Sequence, residues 1–135
     1  MPAFFSSAWA DAAGSALNIS TTYAEAAATW DGAVRLVARD APGADGPLAV
    51  WLDLASGRCA GAQAGPDALA ADAPFEIAGT YDVWRKVLGG GLDPLLGVMT
   101  GKLKLTGDMA VVAKHGKAAK EMVAAAATVE TTPPV

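Results

Sequence analysis

Apolar residues recur along the chain at two spacings, and each spacing predicts a different element. Phe5, Trp9, Ala12, Ala13, Ala16 and Leu17 lie at helical spacing behind Ser6 or Ser7, either of which can cap a helix; this predicts an N-terminal helix within residues 1–19. Tyr23, Ala26, Ala27 and Trp30 form the apolar side of a second, short helix. Thr22 and Glu25 have capping-box spacing there, and Asp31-Gly32 ends it. The period then falls to two. Val34, Leu36 and Ala38 alternate with Arg35, Val37 and Arg39, and after a Pro/Gly/Asp turn Leu48, Val50, Leu52 and Leu54 alternate with Ala49, Trp51 and Asp53. Ser56-Gly57 turns the chain into a weaker third strand over 58–64, which completes an antiparallel meander.

Beyond an irregular or briefly helical link over 65–74, Phe75, Ile77 and Gly79 alternate with Glu76, Ala78 and Thr80 as a fourth strand. Thr80 or Asp82 caps a helix with Tyr81, Trp84, Val87 and Leu88 on one face, and Gly89-Gly90-Gly91 breaks it. Asp93 followed by Pro94 restarts a helix that Gly101 stops. Lys102 to Thr106 reads as a fifth strand with Leu103 and Leu105 inward. Asp108 caps a helix interrupted near Gly116, and residues 117–127 continue it with Met122 and Val123 on the apolar side. The order predicts an α+β fold: a five-stranded, mainly antiparallel sheet with helices covering one face. One domain over 1–135 is expected, with a frayed tail at 131–135.

Composition sharpens this picture. Of the 53% hydrophobic residues, 32 are Ala, which leaves 38 Val, Ile, Leu, Met, Phe, Trp and Tyr, enough for one core. No run approaches the ~20 apolar residues of a membrane span. One Cys excludes a disulfide framework, and one His excludes a multi-histidine metal centre. The first apolar segment lacks the preceding Lys or Arg of a secretory signal, so a reduced cytoplasm is the expected compartment. A net charge of −4 argues against a nucleic-acid partner. The charge is unevenly spread: residues 1–80 carry −6, whereas residues 101–120 carry +4 from Lys102, Lys104, Lys114, Lys117 and Lys120 against Asp108. Such a patch suits an anionic ligand or lipid surface, or is simply a solvated face.

A search for catalytic or cofactor chemistry yields little. His115 lies beside Gly116 in a lysine-rich helix junction, a poor setting for a catalytic base, and Cys59 reads as a buried structural thiol. Gly97 to Lys102 is one residue short of a phosphate-binding loop and lacks the Ser or Thr that would follow. No metal-ligand cluster or cofactor motif is present. What remains is an apolar stretch from Trp84 to Val112, distributed over short, glycine-broken helices that pack less completely than one rod. It forms either an ordinary core or a cavity for an apolar ligand.

The run Gly101-Lys102-Leu103-Lys104-Leu105-Thr106-Gly107-Asp108-Met109 resembles the signature of the sterol carrier protein type 2 family. The preceding Trp84 to Leu96, and Tyr23 to Leu36 with Trp30, Asp31 and Gly32, look like the matching upstream parts, so the resemblance spans roughly residues 20–127. It implies an apolar tunnel between sheet and helices that holds a sterol, fatty acid or fatty acyl-CoA, with no covalent chemistry. It also implies lining positions at Phe75, Ile77, Trp84, Leu88, Leu95, Met99, Leu103, Leu105, Met109 and Val112, with Met122 closing one end. The C-terminal Pro133-Pro134-Val135 departs from the peroxisomal address of eukaryotic members and suggests a free-standing prokaryotic form. Two other classes stay open: an enzyme using a desolvated carboxylate such as Asp82 or Glu76, and a homodimeric interaction module built on an exposed face around Trp51.

Overall fold

The computed structural model describes residues 4–129, so the expected tail at 131–135 lies outside the described residues. Two helices come first, α1 (Ser7–Ile19) and α2 (Thr21–Ala26), followed by β1 (Val34–Arg39), β2 (Leu48–Ala55) and β3 (Arg58–Ala64). A short α3 (Pro66–Ala70) leads to β4 (Phe75–Thr80), then α4 (Tyr81–Leu88) and α5 (Pro94–Met99). The chain finishes with β5 (Lys104–Thr106), α6 (Met109–Lys114) and α7 (Gly116–Ala127).

The helix starts follow local chemistry. Ser6 accepts from the Trp9 amide, Thr80 from Val83, Asp93 from Leu95 and Leu96, and Asp108 from Ala110 and Val111. Each side chain satisfies an amide that the first helical turn leaves free. At α2 the expected cap is displaced: Ser20, not Thr22, accepts from the Tyr23 amide, because a single residue separates α1 from α2 and Ser20 already stands extended between them. The helix ends at Ala26, and Trp30 sits in the turn that follows.

The sheet order is β3-β2-β1-β4-β5. The first three strands form the meander, but β4 docks parallel beside β1, with Val34 opposite Phe75 and Leu36 opposite Ile77. Strand β5 closes the other edge antiparallel, pairing Leu105 with Ile77. It is shorter than the sequence pattern suggests, because the Leu103 amide bonds to the Gly97 carbonyl and not into the ladder. One face of the sheet presents Val34, Leu36, Val50, Leu52, Leu54, Phe75 and Ile77 to the main helical layer. The opposite face is not bare: α3 covers Val37 and Ala49 with Ala68. Arg35 fastens that cover, ion-paired with Glu76 at 2.7 Å and bonded to the Leu69 and Ala71 carbonyls.

The covering layer is tight at one end. Helix α1 packs on β3 and β2 through Trp9, Ala10, Ala13 and Leu17, all essentially buried. The Asn18 amide lies against the outer strand β3, taking the Cys59 N–H at 2.8 Å and donating to the Cys59 carbonyl at 2.9 Å. At the other end α4 is pinned by Trp84, whose indole N–H donates to the Val37 carbonyl at 2.8 Å in a buried setting. Gly79 leaves room for this corner, since a Cβ there would meet Leu103 at 2.6 Å. Replacing Trp84 by Phe removes this buried bond, so W84F should lose about 0.5–1.5 kcal/mol. Urea denaturation checks this, and a midpoint equal to that of the wild type would show that the bond carries no stability.

Candidate ligand-binding site

Where α1 ends its cover, the sheet and the later helices fail to meet fully, and an apolar cavity remains between them. Its floor is Val34, Leu54, Phe75 and Ile77, with Leu103 and Leu105 from the segment around β5. Tyr23 and Trp30 wall one side, and Trp84 another. Pro94, Leu95 and Val98 of α5, Val112 of α6 and His115 form the roof, together with Ala118, Ala119, Met122 and Val123 of α7. Two features keep the space open. Helices α5 and α6 have six residues each, too few to bury a full apolar stripe, and α7 presents short alanines at the roof.

The cavity volume is about 50 Å³. A water needs ~10–15 Å³ on that scale, so the interior admits a few waters and no more. With its open mouth and the adjoining solvent included, the unfilled space is about 690 Å³. The smaller figure governs a whole polycyclic body or long acyl chain, which must widen the walls. Among the roof helices, α6 has no fully buried residue.

The eleven positions implied by the family resemblance divide. Phe75, Ile77, Trp84, Leu95, Leu103, Leu105, Val112 and Met122 converge on the cavity. Leu88, Met99 and Met109 do not line it. Leu88 packs half-buried against the general core, while Met99 and Met109 face outward, 82% and 54% exposed. On a two-turn helix the apolar face is poorly defined by spacing, and here the turns of α5 and α6 point these methionines to solvent.

Sequence reasoning missed the aromatic and polar wall. The Trp30 ring tilts onto Phe75 at 4.6 Å between centroids, and its indole donates to the Gly32 carbonyl at 2.9 Å. His115 stands edge-on to Trp30 at 5.1 Å. Its Nδ1 lies 2.9 Å from the Val111 carbonyl, to which it donates, and its Nε2 lies 2.9 Å from the Thr29 hydroxyl. The sequence places His115 at an exposed junction, whereas the structure turns its ring inward. The aromatic residues of the Tyr23-to-Leu36 stretch were the available signal for this wall.

Electrostatically the cavity is bare: among the described residues no Asp, Glu, Lys or Arg lines it. The carboxylates considered as bases lie elsewhere. Asp82 is exposed in the first turn of α4, and Glu76 is paired with Arg35 on the opposite sheet face. Trp51 also belongs to that face, half-buried, with its indole bonded to the Asp72 carbonyl. Burial pushes the Cys59 thiol up, which disfavours a reactive thiolate. No group of three or more metal-ligating side chains occurs among the described residues.

A sheet floor roofed by short helices around an uncharged apolar cavity defines a binder of hydrophobic small molecules. The family model described as the SCP-2 sterol transfer family matches residues 14–120, and the chain belongs to that family. A crystal structure of sterol carrier protein 2 superposes with a TM-score of 0.86 at 40% identity, covering 94% of this chain and 99% of that one. The solution structure of a conserved hypothetical protein from Thermus thermophilus is also 40% identical, with a TM-score of 0.84 over 96% of this chain and 92% of its own. The apo form of sterol carrier protein 2 from Yarrowia lipolytica, at 19% identity and a TM-score of 0.60 over 88% and 89% of the two chains, shares the fold. No curated protein sequence matches the chain.

Burial in this wall pushes the Tyr23 phenol up from 10.0 to about 12, with the neighbouring Cys59 adding a smaller push. The unfolded chain ionises Tyr23 near pH 10 while the folded chain holds its proton, so stability is full below pH 10 and falls as pH rises towards 12. The loss amounts to roughly 2–3 kcal/mol. Urea midpoints measured at pH 9, 10 and 11 should fall more steeply for the wild type than for Tyr23→Phe. Parallel curves would remove Tyr23 as the cause.

Proposed function

We propose that this chain is a non-catalytic carrier that binds a fatty acid, a fatty acyl-CoA or a sterol-like lipid in a tunnel formed when the cavity widens beneath α6. The observation that carries this reading is the convergence of sheet and five helices on an apolar space without a charged group among the described residues. Binding energy comes from burial of the ligand's hydrocarbon body, at roughly 25 cal/mol per Å². A family devoted to lipid transfer and a cavity without an acid or base pair both favour carriage over covalent chemistry. A cytoplasmic location fits the free Cys59, and among the described residues no helix is long and apolar enough to cross a membrane.

Delivery involves the basic patch. Lys102, Lys104, Lys114 and Lys117 are exposed on the elements that form the roof and its rim, and the exposed Leu96, Met99 and Met109 belong to the same helices. The rest of the chain is acidic, so an anionic membrane surface or the phosphates of an acyl-CoA meet this side first. Reversing all four lysines to Glu should slow ligand transfer to anionic vesicles on the order of tenfold and leave transfer to neutral vesicles unchanged. Equal rates to anionic vesicles would remove the patch from the mechanism.

Native mass spectrometry of the purified chain, followed by solvent extraction, tests the carrier reading directly: a stoichiometric co-purified lipid is expected. Ala119→Phe, which fills the roof, should weaken binding of a fluorescent fatty acid on the order of tenfold with the thermal midpoint retained. Protein that purifies empty and takes up neither a fluorescent fatty acid nor an acyl-CoA would exclude the reading.

A further inference from the structure

Helix α5 is apolar on every side: none of its six residues, Pro94–Met99, is polar. Its inner side is accounted for. Pro94, Leu95 and Val98 line the cavity, and Gly97 is buried so close to Leu103 that a Cβ would meet that side chain at 3.1 Å. Its outer side has no cover. Leu96 and Met99, three residues apart and so on one face, are 50% and 82% exposed. A helix that is apolar all round belongs in a core, and large apolar side chains left in water gain free energy from whatever covers them.

The charges around α5 indicate what that cover is. Between Lys86 and Lys102 the sequence holds a single charged residue, Asp93. Asp93 is occupied: it caps α5 and lies 3.9 Å from the Lys120 ammonium of α7. On one side of the helix the Gly91 and Leu92 amides bond to the carbonyl of exposed Lys86, which holds the end of α4 at the entry to α5. On the other side Lys102 and Lys104 follow, both exposed. An apolar centre bracketed by cations matches an anionic bilayer, which supplies acyl carbon for the one and phosphate for the other. A second copy joined face to face would set lysines against lysines.

We propose that α5 is the element that docks the protein on an anionic bilayer, with Leu96 and Met99 entering the boundary between headgroups and acyl chains while the flanking lysines stay at the phosphates. This rests on the carrier reading and adds an apolar contact to the electrostatic one made by the basic patch. The other side of the same helix walls the cavity, so docking brings that wall against the lipid with which cargo is exchanged.

The test uses the full chain and vesicles of equimolar phosphatidylcholine and phosphatidylserine, read by co-sedimentation. The double variant Leu96→Gln/Met99→Gln keeps every lysine, and neither side chain lines the cavity. Its partition into these vesicles should fall on the order of tenfold. Its affinity for a fluorescent fatty acid in solution should stay within twofold of the wild type. A second readout needs no variant. In wild-type protein with isotope-labelled methionine methyls, bound to nanodiscs of the same lipids, an acyl-chain spin label should broaden the Met99 signal and spare Met122, which is buried at the roof. Undiminished partition of the double variant, or an unbroadened Met99 signal in the bound wild type, overturns the α5 contact. A wild-type dimer that the double variant dissolves assigns the face to a second copy and overturns it as well. Wild-type protein that binds the fatty acid but ignores the vesicles overturns α5 docking and leaves the carrier reading intact. Protein that docks through Met99 yet takes up no fatty acid overturns the carrier reading and leaves the docking.

Discussion

The parallel docking of β4 beside β1 determines what the rest of the molecule can be. It carries the chain from the end of the meander across to the far side of β1, so that Phe75 and Ile77 stand in register with Val34 and Leu36. That register makes a continuous apolar floor, which must be covered, and it sends α4 back over the sheet from the end of β4. The Trp84 indole fixes the return on the Val37 carbonyl. Everything after Trp84 has to roof the remaining floor in short pieces, because glycines and Asp93-Pro94 break the chain repeatedly. Close packing is the default state of a protein interior; here the broken roof prevents it over part of the floor.

The legible features were those decided within a few residues. Period-two alternation located four of the strands and the Ser56-Gly57 turn the third, and Ser6, Thr80, Asp93 and Asp108 marked helix starts because a cap is a contact between near neighbours. The parallel β1–β4 pair was invisible in the pattern, since Val34 and Phe75 are brought together only by the global arrangement. The same distinction divides the candidate site. Phe75, Ile77, Leu103 and Leu105 belong to strands or strand flanks whose inward side alternation reveals. Met99 and Met109 lie on two-turn helices whose rotation is set by distant neighbours, and they point outward. His115 reads as a polar junction in sequence, and only the packing of Trp30 beneath it shows that its ring faces inward.

The distribution of polar groups is as informative as the cavity itself. Charge is confined to the outside: lysines near the roof, the Arg35–Glu76 pair on the opposite face, and acids over the remaining surface. Among the lining residues polarity is reduced to a histidine and a tyrosine. Such an interior favours hydrocarbon over charge, because a buried ion would find no partner there.

The contact between Asn18 and Cys59 has a further consequence. Strand β3 ends the sheet, and an unpaired strand edge invites a second chain to add to it. By occupying both the N–H and the carbonyl of Cys59, the Asn18 amide takes the place of a neighbouring strand at that point. The opposite edge, β5, is only three residues long and offers little to pair with. Strand addition is thus opposed at one point of the β3 edge by a side chain and at the β5 edge by shortness, so neither margin of the sheet offers a long uninterrupted template for a second chain.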